Sequence, residues 1–246
     1  MKKLLALFVL AAAPVLSAQN DSLLGITLVQ NKTGTSLGVP LQIVLLMTLL
    51  TLLTLLPAIL TSVTPFLRII VVLHFLRQAL GTQTTPSNQV LVGLALFLAL
   101  LVVQPVTEDV YHKSWQPLES GQITASDAWE RANPPIKTFL LKFAREKDIK
   151  LFVELSHAPA PAKPADVPIG VLVPAYVLSE LKAAFQIGAV LFLPFLIIDL
   201  VVASVTLSVG MVQLPPVMIS APFKILLFVL VDGWNLVIGS LVKSFY

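Results

Sequence analysis

The chain has 246 residues, of which 57% are hydrophobic and 12% are charged, and its mean hydropathy is +0.91. Because a soluble domain carries about a quarter charged residues, this composition excludes an ordinary water-soluble globule and predicts an integral membrane protein. The net charge of +3 is too small to indicate a nucleic-acid partner, and the absence of cysteine excludes disulfides and thiolate metal sites.

Residues 1–18 have the pattern of a secretory signal peptide. Lys2 and Lys3 form a positive start, residues 4–13 form an apolar core, and Ser17 and Ala18 offer cleavage positions. The alternative is an uncleaved anchor helix, although the core is short for a span of about 20 residues. Cleavage would place the mature N-terminus outside the cytoplasm.

Residues 19–107 contain the N-terminal apolar helices. Two runs, at residues 39–60 and 90–106, are long enough to cross a bilayer. A shorter helix between them carries Arg68 and Arg77, so it is predicted to be a poor lipid-facing span. Because Lys and Arg favour the cytoplasmic side, this shorter helix is predicted to lie on that side.

Residues 108–168 hold most of the charged residues and are predicted to form a small extracytoplasmic helical segment. Thr124, with Asp127 three residues later, predicts a helix start. The pair Pro134 and Pro135 predicts an interruption after which a new helix begins, and Asp148 predicts the start of another short helix. The prolines between residues 159 and 168 predict an extended linker.

Residues 169–246 are predicted to form a helical hairpin. A long helix opens at Pro174 and carries Pro194 as a kink, a turn follows at residues 210–216, and a last apolar run ends the chain. With the mature N-terminus outside, four crossings put residues 108–168 and the C-terminus outside and the turn inside. The chain is therefore predicted to be an all-α membrane protein of helical hairpins, with about four apolar helices.

Several charges in or beside the apolar runs are predicted to meet partners rather than lipid, because a charge at mid-bilayer costs about 2.5–3.5 kcal/mol. The groups that interrupt the runs are Arg68, Arg77, Glu180, Lys182, Asp199, Lys224 and Asp232, and the candidates for buried or assembly charges are Arg68, Arg77, Asp199, Lys224 and Asp232. Asp199 has two interpretations: the ion site of a small ion-coupled secondary transporter, or a structural pair with a basic residue of a neighbouring helix. Lys224 and Asp232 lie two turns apart on somewhat different faces, so each is predicted to need an intermolecular or interhelical partner.

Enzyme chemistry has little support in this chain. The three histidines are scattered, and no spacing suits a metal site. No serine nucleophile motif and no phosphate-binding loop occurs. No catalytic residue, metal or cofactor is therefore expected.

Three strings occur in a recognisable order and spacing: "FLRIIVVLHFLRQALGTQTTPSNQVLVGLALFLALLVVQPV", "SELKAAFQIGAVLFLPFLIIDLVVASVTLSVGM" and "LPPVMISAPFKILLFVLVDGWNLV". Together they resemble the FliP family of the flagellar type III export gate, whose injectisome relatives are the SctR proteins. The resemblance covers about residues 39–246. It implies a non-enzymatic, pore-forming subunit in the bacterial inner membrane at the flagellar basal body, needed for secretion of flagellar subunits and for flagellum assembly.

The resemblance also implies partners and a constriction. The partners would be further copies in a homo-pentamer, FliQ-like and FliR-like subunits, membrane lipid, and unfolded flagellar proteins that pass through the centre. The constriction would lie at Gly210, Met211, Val212, Gln213 and Leu214, where the family usually carries three consecutive methionines. Methionine is unbranched and adapts to irregular surfaces, whereas the amide of Gln213 is at odds with a wholly apolar seal.

Overall fold

A long helix that runs through the C-terminal third of the chain organises the fold. The computed structural model describes residues 41–157, 161, 163–210 and 215–246, and within them the regular structure is helical throughout. The helices are α1 (Leu41–Val63), α2 (Phe66–Ala79), α3 (Asn88–Val110), α4 (Gln116–Glu119), α5 (Ala125–Phe143), α6 (Glu146–Leu155), α7 (Ile169–Ser208), α8 (Pro216–Leu230) and α9 (Gly233–Lys243). A π-helical turn, Tyr111–Trp115, links α3 to α4, and a 3₁₀ turn, Pro164–Asp166, precedes α7. The predicted all-α fold is confirmed, and the predicted signal peptide lies outside the described residues.

Helix α7 is the central helix against which the other helices pack. Its 40 residues extend over about 60 Å at 1.5 Å per residue. Helix α2 lies along it, and α3 packs beside α2. The buried positions of α2 and α3 recur every three or four residues, so each helix presents one apolar stripe to the core. These core residues are Ile69, Val72, Leu73, Leu91, Ala95, Ala99 and Val102.

Gly188 allows α2 and α7 to approach closely. A Cβ atom placed on Gly188 would lie 2.4 Å from Cδ2 of Phe75, far inside van der Waals contact. We expect Gly188→Ala to force the helices apart and to lower the free energy of unfolding by about 1–3 kcal/mol, as overpacked cores do. Thermal unfolding of the detergent-solubilised protein measures this loss.

Gly93 of α3 offers a matched control, because no atom lies within 4 Å of a Cβ placed there. Gly93→Ala is expected to stabilise the helix by about 0.5–1 kcal/mol, since glycine is entropically unfavourable in a helix. Equal unfolding temperatures for the two variants would contradict the close approach of α2 and α7.

The segment 108–168 forms a short helical layer against the start of α7 and the end of α3. Thr124 caps α5 in a reciprocal arrangement with Asp127, as predicted. The predicted interruption at Pro134 and Pro135 is wrong, because α5 runs unbroken through both residues. The burial of Ala128, Ala132 and Leu140 along one face holds the helix together although the prolines remove two backbone donors.

The last apolar run is two helices rather than one. Helices α8 and α9 meet at a bend of 67°. Asp232, at the bend, has left-handed backbone angles, and a Cβ on Gly233 would clash with the Phe228 ring, at 2.2 Å. A left-handed residue cannot continue an α-helix, so the sequence Asp-Gly ends α8 here.

The membrane-spanning capacity of the described residues follows from helix length and composition. The helical stretch Asn88–Glu119, which contains α3, and α7 are each long and apolar enough to cross a membrane. Helices α8 and α9 would make a third span if the bent pair counts as one, and α1 adds a shorter apolar stretch, Ile43–Leu55. The fold is that of an all-α membrane protein.

Candidate functional site

A buried ion pair joins α2 to α7. Arg68 Nε donates to Oε2 of Glu180 over 2.9 Å, and Nη2 donates to the other carboxylate oxygen. The side chain of Arg68 is 8% exposed and that of Glu180 is fully buried. Nη1 of the same guanidinium donates to Ser244 Oγ over 3.1 Å, and its carbon lies 4.0 Å from the centre of the Phe245 ring. We call these four residues the Arg68 cluster.

The Arg68 cluster corrects one prediction. The charge pattern predicts that Arg68 and Arg77 lie on the side of the membrane opposite to residues 108–168. In the structure the Arg68 guanidinium lies 5.6 Å from the centre of the ring of Phe143, a residue of segment 108–168 at the end of α5. The two arginines lie near opposite ends of α2, and counting positive charges along the sequence does not distinguish these two ends.

A second polar network fastens α6 to α7. Arg145 N donates to Ser179 Oγ over 2.9 Å, and Ser179 Oγ donates to Oδ2 of Asp148 over 2.6 Å. Arg145 Nε also donates to the same carboxylate oxygen over 2.9 Å. Burial alone would raise the pKa of Asp148, but the hydrogen bonds from Ser179 and Arg145, with the nearby Lys182, hold this pKa below its ordinary value.

Acidification is therefore expected to loosen α6 from α7. A carboxyl with a depressed folded pKa contributes stability above its unfolded pKa, about 3.9, and this contribution is lost as the pH falls through the folded pKa. As the pH falls below about 4, the α6 amides should lose their protection against hydrogen exchange at a higher pH than the α2 amides do. Asp148→Asn should show at neutral pH the same faster exchange, and an unchanged rate in that variant would contradict the role of the charge.

The hairpin of α7 and α8 carries its own ion pair. Lys224 Nζ on α8 lies 2.6 Å from Oδ2 of Asp199 on α7. Ser220 Oγ donates to the other carboxylate oxygen. The side chain of Lys224 is 2% exposed and that of Asp199 is 29% exposed. Of the two interpretations of Asp199, this geometry matches the structural pair, since both carboxylate oxygens are occupied within the chain.

The structure gives Arg77 and Asp232 no ion pair among the described residues. Arg77 is half-buried and bonds to neutral groups: Pro86 O at 3.2 Å, Asn88 Oδ1 at 2.7 Å and His74 Nδ1 at 3.1 Å. Asp232, predicted to meet an intermolecular or interhelical partner, is exposed in the single chain and has left-handed backbone angles at the α8–α9 bend. Gly210, just beyond the end of α7, has a positive φ of 80°. Residues 211–214, the rest of the predicted constriction, lie outside the described residues.

Comparison with known proteins identifies the family of the chain. The model of the FliP family matches residues 49–241, which is more than three quarters of the chain. The chain belongs to the FliP family. Membership places this FliP-family chain in flagellar biosynthesis, and its apolar helices make it a membrane protein.

Individual FliP relatives are similar over most of their length. The chain is 54% identical to a flagellar biosynthetic protein FliP of Pectobacterium carotovorum over 77% of this chain and 74% of that protein. It is 51% identical to FliP of Bacillus subtilis over 77% of this chain and 86% of that protein. With FliP of Cereibacter sphaeroides it shares 48% identity over 90% of this chain and 72% of that protein.

The FliP-family hairpin presents a wide apolar surface. Along the C-terminal half of α7 and on α8, large apolar side chains remain more than half exposed in the single chain. They include Val190, Leu200, Leu207, Val217, Met218, Val229 and Leu230. Because soluble monomers rarely expose contiguous apolar patches of such extent, these faces are suited to lipid or to other subunits.

Several residues that contact the predicted charges were not among the predicted site residues. Glu180 was predicted only as a charge that interrupts an apolar run, and the structure pairs it with Arg68. Ser179 and Ser220 carry no such signal, because serine is common in membrane helices. Phe245 lies near the end of the sequence, and nothing local indicates that its ring covers an arginine from α2.

Proposed function

We propose that this FliP-family chain is a pore-forming subunit of the flagellar type III protein export gate, required for secretion of flagellar subunits and for flagellum assembly. Family membership over residues 49–241 carries the proposal. The gate would be a homo-pentamer that also contains FliQ-like and FliR-like subunits, located in the bacterial inner membrane at the flagellar basal body. Injectisome SctR proteins would be its counterparts.

The α7–α8 hairpin supports this role physically. Its two arms are tied by the Asp199–Lys224 pair, while its outward faces are apolar. A hairpin that satisfies its charges internally can pack apolar faces against neighbouring copies without leaving an unpaired charge in the interface. The division into N-terminal helices, an extracytoplasmic segment at residues 108–168 and a C-terminal hairpin belongs to the same proposal.

The constriction is proposed at residues 210–214, where apolar side chains would face one another around the axis of the ring. Unfolded flagellar proteins would pass through this opening during export. Met211→Gly combined with Val212→Gly would remove two apolar side chains from the proposed constriction. We expect this double variant to leak small ions through the resting gate, measured as uptake into cells that produce the complex.

A matched control places two glycines elsewhere, as Ser120→Gly with Gln122→Gly in the exposed turn between α4 and α5. This control should not leak. Unchanged permeability of the Met211 and Val212 double variant, in an assembled complex, would place the seal elsewhere.

Native mass spectrometry of the purified complex tests the assembly, together with restoration of motility in a bacterium that lacks its own FliP-family protein. A pentamer that restores motility supports the export gate. A monomer or dimer that transports a small solute would favour the alternative, a secondary transporter that uses Asp199, and would overturn the export-gate role.

A further inference from the structure

The loop between α2 and α3, residues 80–87, is held to the last turn of α2 by the side chain of Arg77. Its Nη1 donates to Pro86 O over 3.2 Å and to Asn88 Oδ1 over 2.7 Å, at the far end of the loop. At the near end, Thr82 Oγ1 donates to Arg77 O over 3.1 Å. Arg77 therefore fastens the loop and the start of α3 to α2, and we call residues 80–87 the latched loop.

His74 fixes the orientation of the Arg77 guanidinium. Arg77 Nη2 lies 3.1 Å from Nδ1 of His74, one turn earlier on α2. A guanidinium has hydrogen-bond donors only, so Nδ1 must be the acceptor. An imidazole nitrogen accepts only when it carries no proton. This bond therefore requires neutral His74, with its ring proton on Nε2.

Arg77 is the charge that acts on His74. Helices α1 and α3 carry no charged residue over residues 41–63 and 88–107. On the other elements packed with α2, the charged groups are Lys142 of α5, Glu180, Lys182 and Asp199 of α7, Lys224 of α8, and Asp232 and Lys243 of α9. Glu180 and Asp199 are held in ion pairs. Among the described residues, the charge that shifts the pKa of His74 is that of Arg77.

The surroundings of His74 favour its neutral form. Helix α2 has 14 residues, too few to cross a bilayer. Burial, and then the positive charge of Arg77, hold the pKa of His74 below its ordinary value, which is about 6.5. In a released loop the ring gains water and its pKa returns toward that value. The held loop thus binds fewer protons than the released loop, so a falling pH favours release.

We propose that His74 and Arg77 form a pH-sensitive latch for the loop between α2 and α3. Neutral His74 holds the guanidinium on Pro86 and Asn88. A proton on Nδ1 removes the acceptor and sets two positive charges side by side, so the guanidinium turns away and the latched loop is released.

Release of the latched loop would also loosen α2 from α8. Gly81, in this loop, lies against the first turns of α8, because a Cβ placed on it would be 3.4 Å from Ala221 Cβ and 4.0 Å from Val217 Cγ1. A drop in pH at this end of the molecule is thereby converted into a looser contact between two helices.

The mobility of a spin label tests the latch in the full chain, purified in detergent. The natural chain has no cysteine, so Thr84→Cys, at an exposed position in the latched loop, provides the sole thiol. We expect a restricted label at neutral pH and a more mobile one as the pH falls below about 6.5. The ratio of released to held loop should rise by at most about tenfold per pH unit, as one proton requires. A label at Ser120→Cys, in the exposed turn between α4 and α5, should keep its mobility.

Two substitutions separate His74 from other titrating groups. His74→Gln keeps an acceptor for Arg77 but does not titrate, so the Thr84→Cys label should stay restricted from about pH 8 to pH 5. His74→Lys offers no acceptor and adds a positive charge, so the label should be mobile at neutral pH. This pH range lies above that in which Asp148 takes up a proton, so α6 stays in place.

A loop label that keeps the same mobility across this pH range in the natural background would overturn the latch. The same pH response in His74→Gln would assign the response to another group and would overturn it equally. If His74→Lys does not fold, the comparison with His74→Gln decides alone. The label reports on a single chain, so its result is separate from the test of the export gate.

Discussion

Glu180→Ala is expected to lower the free energy of unfolding by about 3–5 kcal/mol, because it leaves the guanidinium of Arg68 buried without a counter-charge. The Arg68 side chain is 8% exposed, and Nε and Nη2 both lose their acceptor. Ser244 and the Phe245 ring remain in contact with Arg68, but neither carries a negative charge. Denaturant unfolding in detergent, together with the yield of assembled complex, measures the loss.

The matched control is Asp109→Ala, which breaks an exposed ion pair. Lys113 Nζ lies 3.0 Å from Asp109 Oδ2, and both side chains are more than half exposed. Helical pairs of this kind contribute about 0.3–0.5 kcal/mol. Equal effects of Asp109→Ala and Glu180→Ala would contradict the structural importance of the buried pair.

Asp199→Ala is expected to abolish motility in the complementation assay. It leaves the ammonium group of Lys224, which is 2% exposed, unpaired between the arms of the hairpin. Such an uncompensated buried charge costs about 3–5 kcal/mol. Assembly should fail before export is affected, so native mass spectrometry should show a reduced pentamer.

The double variant Asp199→Ala with Lys224→Met distinguishes the two interpretations of Asp199. Replacing a buried ion pair by apolar groups of similar volume is often neutral, so a structural pair predicts recovery of assembly and of part of the motility. An ion-binding carboxylate predicts no recovery, because the coupling group is still missing. Absence of any rescue in the double variant would therefore argue against the structural pair.

Much of the helical framework could be predicted from local patterns. The apolar runs around α1, α3 and α7 and the cap at Thr124 follow from hydropathy and from side chains that bond their own backbone. The breaks were less predictable. Pro134 and Pro135 do not stop α5, whose buried face holds it together, whereas the Asp-Gly pair at 232–233 divides an apolar run of uniform appearance.

Charges that interrupt apolar runs can be recognised in the sequence, but the groups that surround them depend on tertiary packing. The partner of Arg68 is 112 residues away in sequence, and no local signal specifies Glu180 rather than Asp199. Within the part of the chain that the structure describes, Arg77 donates to neutral groups of its own loop and bonds a histidine, which a count of charges does not predict. Asp232 differs again, because a left-handed turn exposes it.

The separation of Arg68 from Glu180 also sets an order for synthesis of the chain. At about 5–20 residues per second, the 112 residues between them take about 6–22 s to emerge. During this interval α2 carries a guanidinium without its acid and cannot settle in an apolar environment at low cost. We therefore expect α2 to remain at an aqueous boundary until α7 has been synthesised, and the two helices to enter their final positions together.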